Sequence, residues 1–326
     1  MDIDAKLRPI YLVRILKERT DEDHYLTTAQ LCSILRNEYG METHRTTIKS
    51  DIEMLQKAGF GIQTVRSTQN QYNFIDREFD YAELKMLIDA VQSAKFITKA
   101  KSNQLVKKLT ALSSVNKAKE LKRNLVVDRG TKLQNEHIIM IVDAVNEAIN
   151  QRKKIRFQMT EYTTKKKRVL HNDGEEYVFS PYTLIWDGDF YYVVGYSDKY
   201  QSIGSHRIDR IYKRPEVLDE SAVPVPPGFD INAYVNTMFR MYDAERVEVE
   251  LQVDNTLVDS IIDKFGPDVT IYACDQNSFR AIATVSVGTP FFSWLFGFQG
   301  KVKIRKPESV RMAYEDRVRE ASAFLE

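Results

Sequence analysis

The segment His44-Arg45-Thr46-Thr47, with Lys49 and Ser50 one turn on, gathers two cations, an imidazole and three hydroxyls. Ile48, Ile52 and Leu55 recur at helical spacing, so one side of this helix is buried and the polar side is left outward. An arginine so placed makes a bidentate contact to a guanine edge, whereas Lys49 and the hydroxyls suit phosphates or mixed roles. A second polar group, Arg66, Ser67, Gln69 and Asn70, falls between two alternating runs, Ile62-Thr64 and Tyr72-Phe74. That pattern predicts a β-hairpin with Arg66 and Gln69 at its tip, within reach of a minor groove or a backbone. Double-stranded DNA is the partner this combination implies. The plainer reading is a three-helix protein-interaction module whose outer face is polar.

Farther along, Ser180, Tyr182, Tyr191, Ser205, Arg207 and Arg210 form a second constellation. In a strand through Ser205–Ile208, period-two alternation places Ser205 and Arg207 on one face and His206 and Ile208 on the other. Ile208 marks the packed face, which turns Arg207 toward a cleft. Arg210 adds a second cation, Ser180 and Tyr182 approach from the preceding strand pair, and the rings of Tyr182 and Tyr191 are placed to stack on bases. Such a site suits phosphate plus base, hence an oligonucleotide or nucleotide effector. The alternatives are core packing for each tyrosine and a structural ion pair for Arg207. Catalysis finds no foothold. The histidines 24, 44, 137, 171 and 206 lack metal-ligand spacing, and there is no Gly-rich phosphate loop, nucleophile elbow or HExxH. No catalytic residue, metal site or cofactor is expected.

These groups need elements to hold them. Apolar periodicity predicts helices starting near Leu7, at Thr28 (capped by Thr27, with Gln30 at the capping-box position) and near Thr43, the last two ending at Gly40 and Gly59. Residues 80–136 read as helical. Between Lys95 and Lys132 they carry eleven lysines and arginines against only Glu120 and Asp128. That is a solvated connector or a basic surface flanking DNA or ligand. A helix through Ile138–Ile149 leads into five short strands, 154–157, 177–179, 182–185, 190–194 and 205–208, with Asp187-Gly188 as a hairpin turn. Five short strands predict a strongly bent sheet or small barrel. Proline-rich Val223–Gly228 is a boundary, and a β-α-β-β-α order follows it. The fold class is multidomain α+β, divided as 1–78, 79–135, 136–222 and 223–326.

The chain has 326 residues and a formal net charge of +1, so any nucleic-acid surface must be local. Cys32 and Cys274 sit in apolar surroundings and read as buried thiols in a reducing compartment. An acidic N-terminus without an apolar h-region, and no apolar run of membrane-spanning length, predict a cytoplasmic protein without a membrane partner.

The segment His44–Ile52, with Leu55 and Gly59 following, resembles the winged helix-turn-helix of DeoR-like and related regulators. Those carry Ser-x-Arg-Thr-Ile-x-Arg-Asp-Ile there; Thr46 and Ser50 stand where arginines are common, so the base contacts do not transfer. Ser180-Pro181-Tyr182-Thr183-Leu184, Phe190-Tyr191-Tyr192 and Arg207-Ile208-Asp209-Arg210-Ile211 together resemble a WYL domain, although only the central Tyr of the naming triplet matches. This resemblance implies a five-stranded Sm/SH3-like small β-barrel that senses nucleic-acid or nucleotide ligands. The run Phe291–Phe298, with Trp294 read as core, then Lys301–Ile304 and Pro307, is similar to the C-terminal extension found behind WYL domains. The combination implies a ligand-responsive DNA-binding transcription regulator acting as a homodimer, with a protein- or RNA-binding adaptor as the alternative.

Overall fold

The computed structural model describes residues 3–66, 69–123, 132, 135, 137–237 and 244–323. Ser67 of the hairpin tip and Asp128 and Arg129 of the basic stretch therefore lie outside the described residues. The chain divides into two units, Met1–Asn135 and Glu136–Glu326.

The first unit begins with α1 (Ile3–Arg19), β1 (Leu26–Thr27), α2 (Thr28–Tyr39), α3 (Arg45–Lys57), β2 (Ile62–Val65) and β3 (Gln71–Phe74). Its antiparallel sheet has the order β1-β3-β2. Leu12, Ile15 and Leu16 of α1 are buried with Leu31, Leu35, Ile48, Ile52 and Tyr72, so one core fixes all three helices to the sheet. Helix α2 starts as its sequence predicts. Thr27 Oγ1 accepts the N–H of Gln30 at 3.2 Å, and Gln30 Oε1 accepts that of Thr27 at 2.8 Å. It ends where Gly40 takes φ +69°, a conformation that costs a glycine nothing. Arg8 of α1 holds Asp51 of α3 through Nε at 2.5 Å, with both side chains largely buried.

Three more helices follow, α4 (Tyr81–Ser93), α5 (Lys99–Thr110) and α6 (Val115–Arg123). A buried carboxylate ties them to the tri-helical body. Asp21 accepts hydrogen bonds from His24 Nδ1 at 2.7 Å, from the Asp23 N–H at 3.0 Å and from Ser114 Oγ, while its carbonyl accepts Asn73 Nδ2 at 3.0 Å. Arg77 donates to the Thr20 and Lys17 carbonyls at 2.6 and 2.8 Å, closing the end of α1.

The second unit opens with α7 (Ile138–Gln151), β4 (Lys153–Gln158), β5 (Thr160–Tyr162), β6 (Arg168–Leu170), β7 (Glu176–Asp187), β8 (Phe190–Ser197), β9 (Ser202–Arg207) and β10 (Glu216–Ser221). Ile141, Ala144, Val145 and Ala148 are the fully buried stripe of α7. The main sheet is antiparallel with order β10-β4-β7-β8-β9. An isolated bridge joins Met159, just past β4, to Ile211, just past β9. Those strands are three places apart in the sheet, so it must curl. The segment after the prolines folds back through α8 (Ile231–Asn236), whose Tyr234 is buried against Tyr192 and Val194.

Last come β11 (Arg246–Asp254), α9 (Val258–Phe265), β12 (Thr270–Ala273), β13 (Ser278–Ser286), α10 (Thr289–Gly297), β14 (Val302–Lys306) and α11 (Glu308–Ala323), with sheet order β12-β13-β11-β14. Mixed helix and antiparallel sheet is therefore the fold class. Among the described residues no helix is long and apolar enough to cross a membrane.

Several expectations need correction. Helix α1 starts at Ile3 rather than Leu7 and runs through Pro9, which gives up one helical hydrogen bond. The stretches 177–179 and 182–185 are one strand, β7, bent by a bulge between Pro181 and Thr183. Ile208 belongs to a 3-10 turn after β9 rather than to the strand. Cys274 is exposed because it follows the edge strand β12, all of whose residues are exposed; Cys32 is half-buried. Within the run Phe291–Phe298, Phe291, Phe292 and Leu295 are buried in the core of their own domain, Trp294 and Phe298 are half-buried against it, and Phe296 is its one exposed aromatic residue.

Candidate functional site

Helix α3 carries its polar residues as its spacing requires. His44, Arg45, Thr46, Lys49 and Ser50 are exposed, Thr47 is half-buried, and Ile48, Asp51, Ile52 and Leu55 are buried. Arg45, Thr46 and Lys49 meet Thr28 at the start of α2 and Gln69, Asn70 and Tyr72 of the hairpin around one hollow of about 340 Å³. His44 and Arg45 also border a smaller hollow with Cys32 and Arg36. Thr47, Ser50 and Arg66 line neither, although Arg66 is exposed at the end of β2. Lys49 faces Glu53 at 3.9 Å with both side chains well exposed, an ion pair that screening leaves weak. Thr28 and Asn70 entered this hollow through the fold: the N–H of Thr28 donates to the Asn70 carbonyl at 3.3 Å, pinning α2 to the hairpin.

The second site is a cleft of about 700 Å³ in the curled sheet. Ser205, Arg207 and Arg210 line it, as their spacing predicts. Ser180, Tyr182 and Tyr191 do not. Ser180 is fully buried and accepts the Val223 N–H at 3.0 Å, and the Tyr182 hydroxyl donates to the Pro224 carbonyl at 3.2 Å. Both hold the proline-rich segment to β7, so their expected approach to the cleft is corrected. The pleat supplies Tyr192, opposite Arg207 in the β8–β9 ladder, where the sequence reading placed Tyr191; adjacent residues on a strand face opposite ways. Burial raises the Tyr192 hydroxyl pKa, with Arg207 opposing that shift, so it is a neutral hydrogen-bonding group.

Sequence reasoning also missed Asp187, Asp189 and Phe190 at the mouth of the β7–β8 hairpin. Asp187-Gly188 had been read only as a turn signal. The rival reading of Arg207 describes its in-plane contacts: Nε and Nη2 donate to the two Asp209 carboxylate oxygens at 3.1 and 2.9 Å. Its guanidinium carbon also lies 3.3 Å from the centroid of the Phe190 ring. The turn bearing these groups is braced from behind. Arg168 donates to the Asp209 carbonyl and, at 2.7 Å, to Thr160 Oγ1, which donates to the Arg210 carbonyl at 2.8 Å. His206 also borders the cleft, but its ring packs against the rings of Phe157, Tyr177 and Phe179, and burial there pushes its pKa down to about 4. It stays neutral and works as packing.

Residues 140–217 match the WYL domain family. Every residue of the cleft lies inside this WYL domain. Two solved structures are similar to the chain. Proteasome accessory factor B/C (PafBC) of Arthrobacter aurescens is 16% identical over 98% of this chain and 47% of that one, with a TM-score of 0.30. A CRISPR Cas-related protein is 14% identical over 76% of this chain and 75% of that one, with a TM-score of 0.39. The chain thus spans about half the length of the first. No curated protein sequence matches it.

Proposed function

We propose that this chain is a cytoplasmic DNA-binding transcription regulator whose WYL domain binds a nucleotide or oligonucleotide effector. The observation that carries the reading is the hollow where Arg45, Thr46 and Lys49 meet Thr28, Gln69 and Asn70. Residues 1–78 act as a winged helix-turn-helix, with α3 in the major groove and the β2–β3 hairpin as the wing. This is the docking that leaves the N-terminal side chains of the recognition helix at base edges. Residues 79–135 form the helical connector, the WYL domain (136–222) is a small Sm/SH3-like barrel, and 223–326 is its C-terminal extension. A homodimer would pair two half-sites and reach the affinity that one short module lacks. The protein carries out no catalysis in this scheme. Effector bound in the cleft biases the DNA-binding equilibrium by its differential affinity for two states of the protein.

The test uses a genomic site recovered by footprinting. Arg45→Ala should cost about 1–3 kcal/mol there and relax sequence preference, whereas Lys49→Ala should weaken all duplexes alike and flatten the salt slope. Unchanged binding by both variants, or no sequence-dependent shift in the wild type, returns the chain to the adaptor reading.

A further inference from the structure

The two cations of the cleft are not equivalent. Arg207 has spent Nε and Nη2 on Asp209, and one face of its guanidinium lies on Phe190 at 3.3 Å. Only its opposite face and Nη1 are left to a ligand, and about a fifth of the side chain remains accessible. A guanidinium in that state is a poor clamp for phosphate, because bidentate recognition needs two parallel donors. It is instead a flat, oriented, cationic surface. Phe190 is half-buried and packs against the buried Tyr192, Val194 and Tyr234, so the stack has a packed floor. Arg210 differs. It is exposed and lines the cleft, and its backbone is held by Thr160, so its side chain presents a solvent-accessible cation there. Asp187 and Asp189 line the same cleft and repel phosphate from the hairpin side.

We propose that Arg207 is a stacking platform for an aromatic base, with Arg210 taking the attached phosphate, so that the cleft selects base-bearing phosphates over phosphate chains alone. This rests on the effector reading above and deepens it. It moves base stacking from Tyr182 and Tyr191, which lie outside the cleft, to a Phe190–Arg207 stack. Stacking on an arginine plane tolerates any base, because every base has a π-face.

The experiment measures binding of three probes to the full-length protein by calorimetry. They are a short oligodeoxyadenylate, an abasic oligophosphate of equal length and charge, and adenosine 5′-monophosphate. The wild type should bind the base-bearing strand at least about tenfold tighter than the abasic one. Arg207→Lys keeps the charge and loses the plane, so the preference should shrink to within about threefold. Phe190→Leu removes the floor beneath the guanidinium and should act in the same direction, which covers the case in which Arg207→Lys misfolds. Arg210→Ala should weaken the base-bearing and abasic strands alike. Monophosphate binding close to that of the strand assigns the ligand as a free nucleotide, and much weaker binding assigns a strand. Equal affinity of the wild type for base-bearing and abasic probes overturns the platform while leaving the effector reading intact. So does a base preference that survives both Arg207→Lys and Phe190→Leu. No binding of any probe overturns the effector reading, and the platform with it.

Discussion

At the scale of single residues, Asp21 in the first unit and His206 in the second each contribute to the response to acid. Burial alone would raise the Asp21 carboxyl, but hydrogen bonds from Ser114, His24 and the Asp23 N–H outweigh it and hold its pKa below the ordinary 3.8. A depressed carboxylate stabilises the fold above its unfolded pKa, and that contribution disappears as pH falls through the folded value. Urea midpoints of the first unit should therefore drop as pH is lowered below 3.8, and Asp21→Asn should remove that part of the slope while lowering the midpoint near neutrality. A variant with an unaltered slope would mean Asp21 does not tie the helices together. His206 has the opposite charge type. The unfolded chain takes a proton near pH 6.5, but the folded ring resists one until about 4. The second unit should lose stability as pH falls through that interval. His206→Phe keeps the aromatic packing, and its pH profile over the same range should be flatter than that of the wild type.

At the scale of elements, the WYL sheet depends on how closely β8 can approach the bulge in β7. A Cβ at Gly195 would come within 2.2 Å of the Ser180 carbonyl oxygen and 2.9 Å of Pro181 Cα. Backbone atoms cannot step aside as a side chain does, so Gly195→Ala should cost roughly 3 kcal/mol or more. Chemical denaturation would show this as a lower midpoint, and a shift under about 0.5 kcal/mol would show that the bulge is soft. In the first unit the corresponding device is the cap on α2. Thr27→Ala removes one hydrogen bond to an otherwise unpaired N–H and should cost about 1 kcal/mol. Because β1 and the start of α2 abut the hairpin, the proposed DNA-binding role predicts that the same substitution also weakens binding to duplex DNA, read by anisotropy.

At the scale of the whole molecule, each unit has its own apolar core, one around Leu16, Leu35 and Ile48 and another around Val249, Leu251 and Phe291. Separate cores predict separate melting. Scanning calorimetry should resolve more than one transition, with Asp21→Asn lowering one and Gly195→Ala another. A single transition moved by both would mean that the units unfold together. Net charge bears on binding at this scale. At +1 overall, the chain has no long-range attraction for DNA, so the DNA affinity proposed above must come from local cations. Its salt dependence should therefore be shallow, corresponding to a few phosphates rather than many.

The sequence alone determined those features that depend on neighbours close in the chain. Helical spacing of Ile48, Ile52 and Leu55 decided which side of α3 faces outward, and Thr27 with Gln30 marked where α2 begins. Asp187-Gly188 located the turn that shapes the cleft mouth, and period-two alternation put Ser205 and Arg207 on its lining. Alternation failed where a bulge interrupted it. A register shift at Pro181 is invisible in a hydrophobic pattern, so Ser180 and Tyr182 were assigned to a cleft although they serve the proline-rich segment. Tertiary structure alone decided three further matters. The curl of the sheet brought Met159 beside Ile211, Asn73 and Ser114 converged on Asp21 from distant positions in the chain, and the Phe190 ring came to lie under Arg207. Each is a meeting of residues far apart in sequence or across a ladder, and its geometry is set by strand order and twist. Residue type fixes what Arg207 can do; only the position of Asp209 and Phe190 around it decides which of its donors and which face of its plane are already engaged.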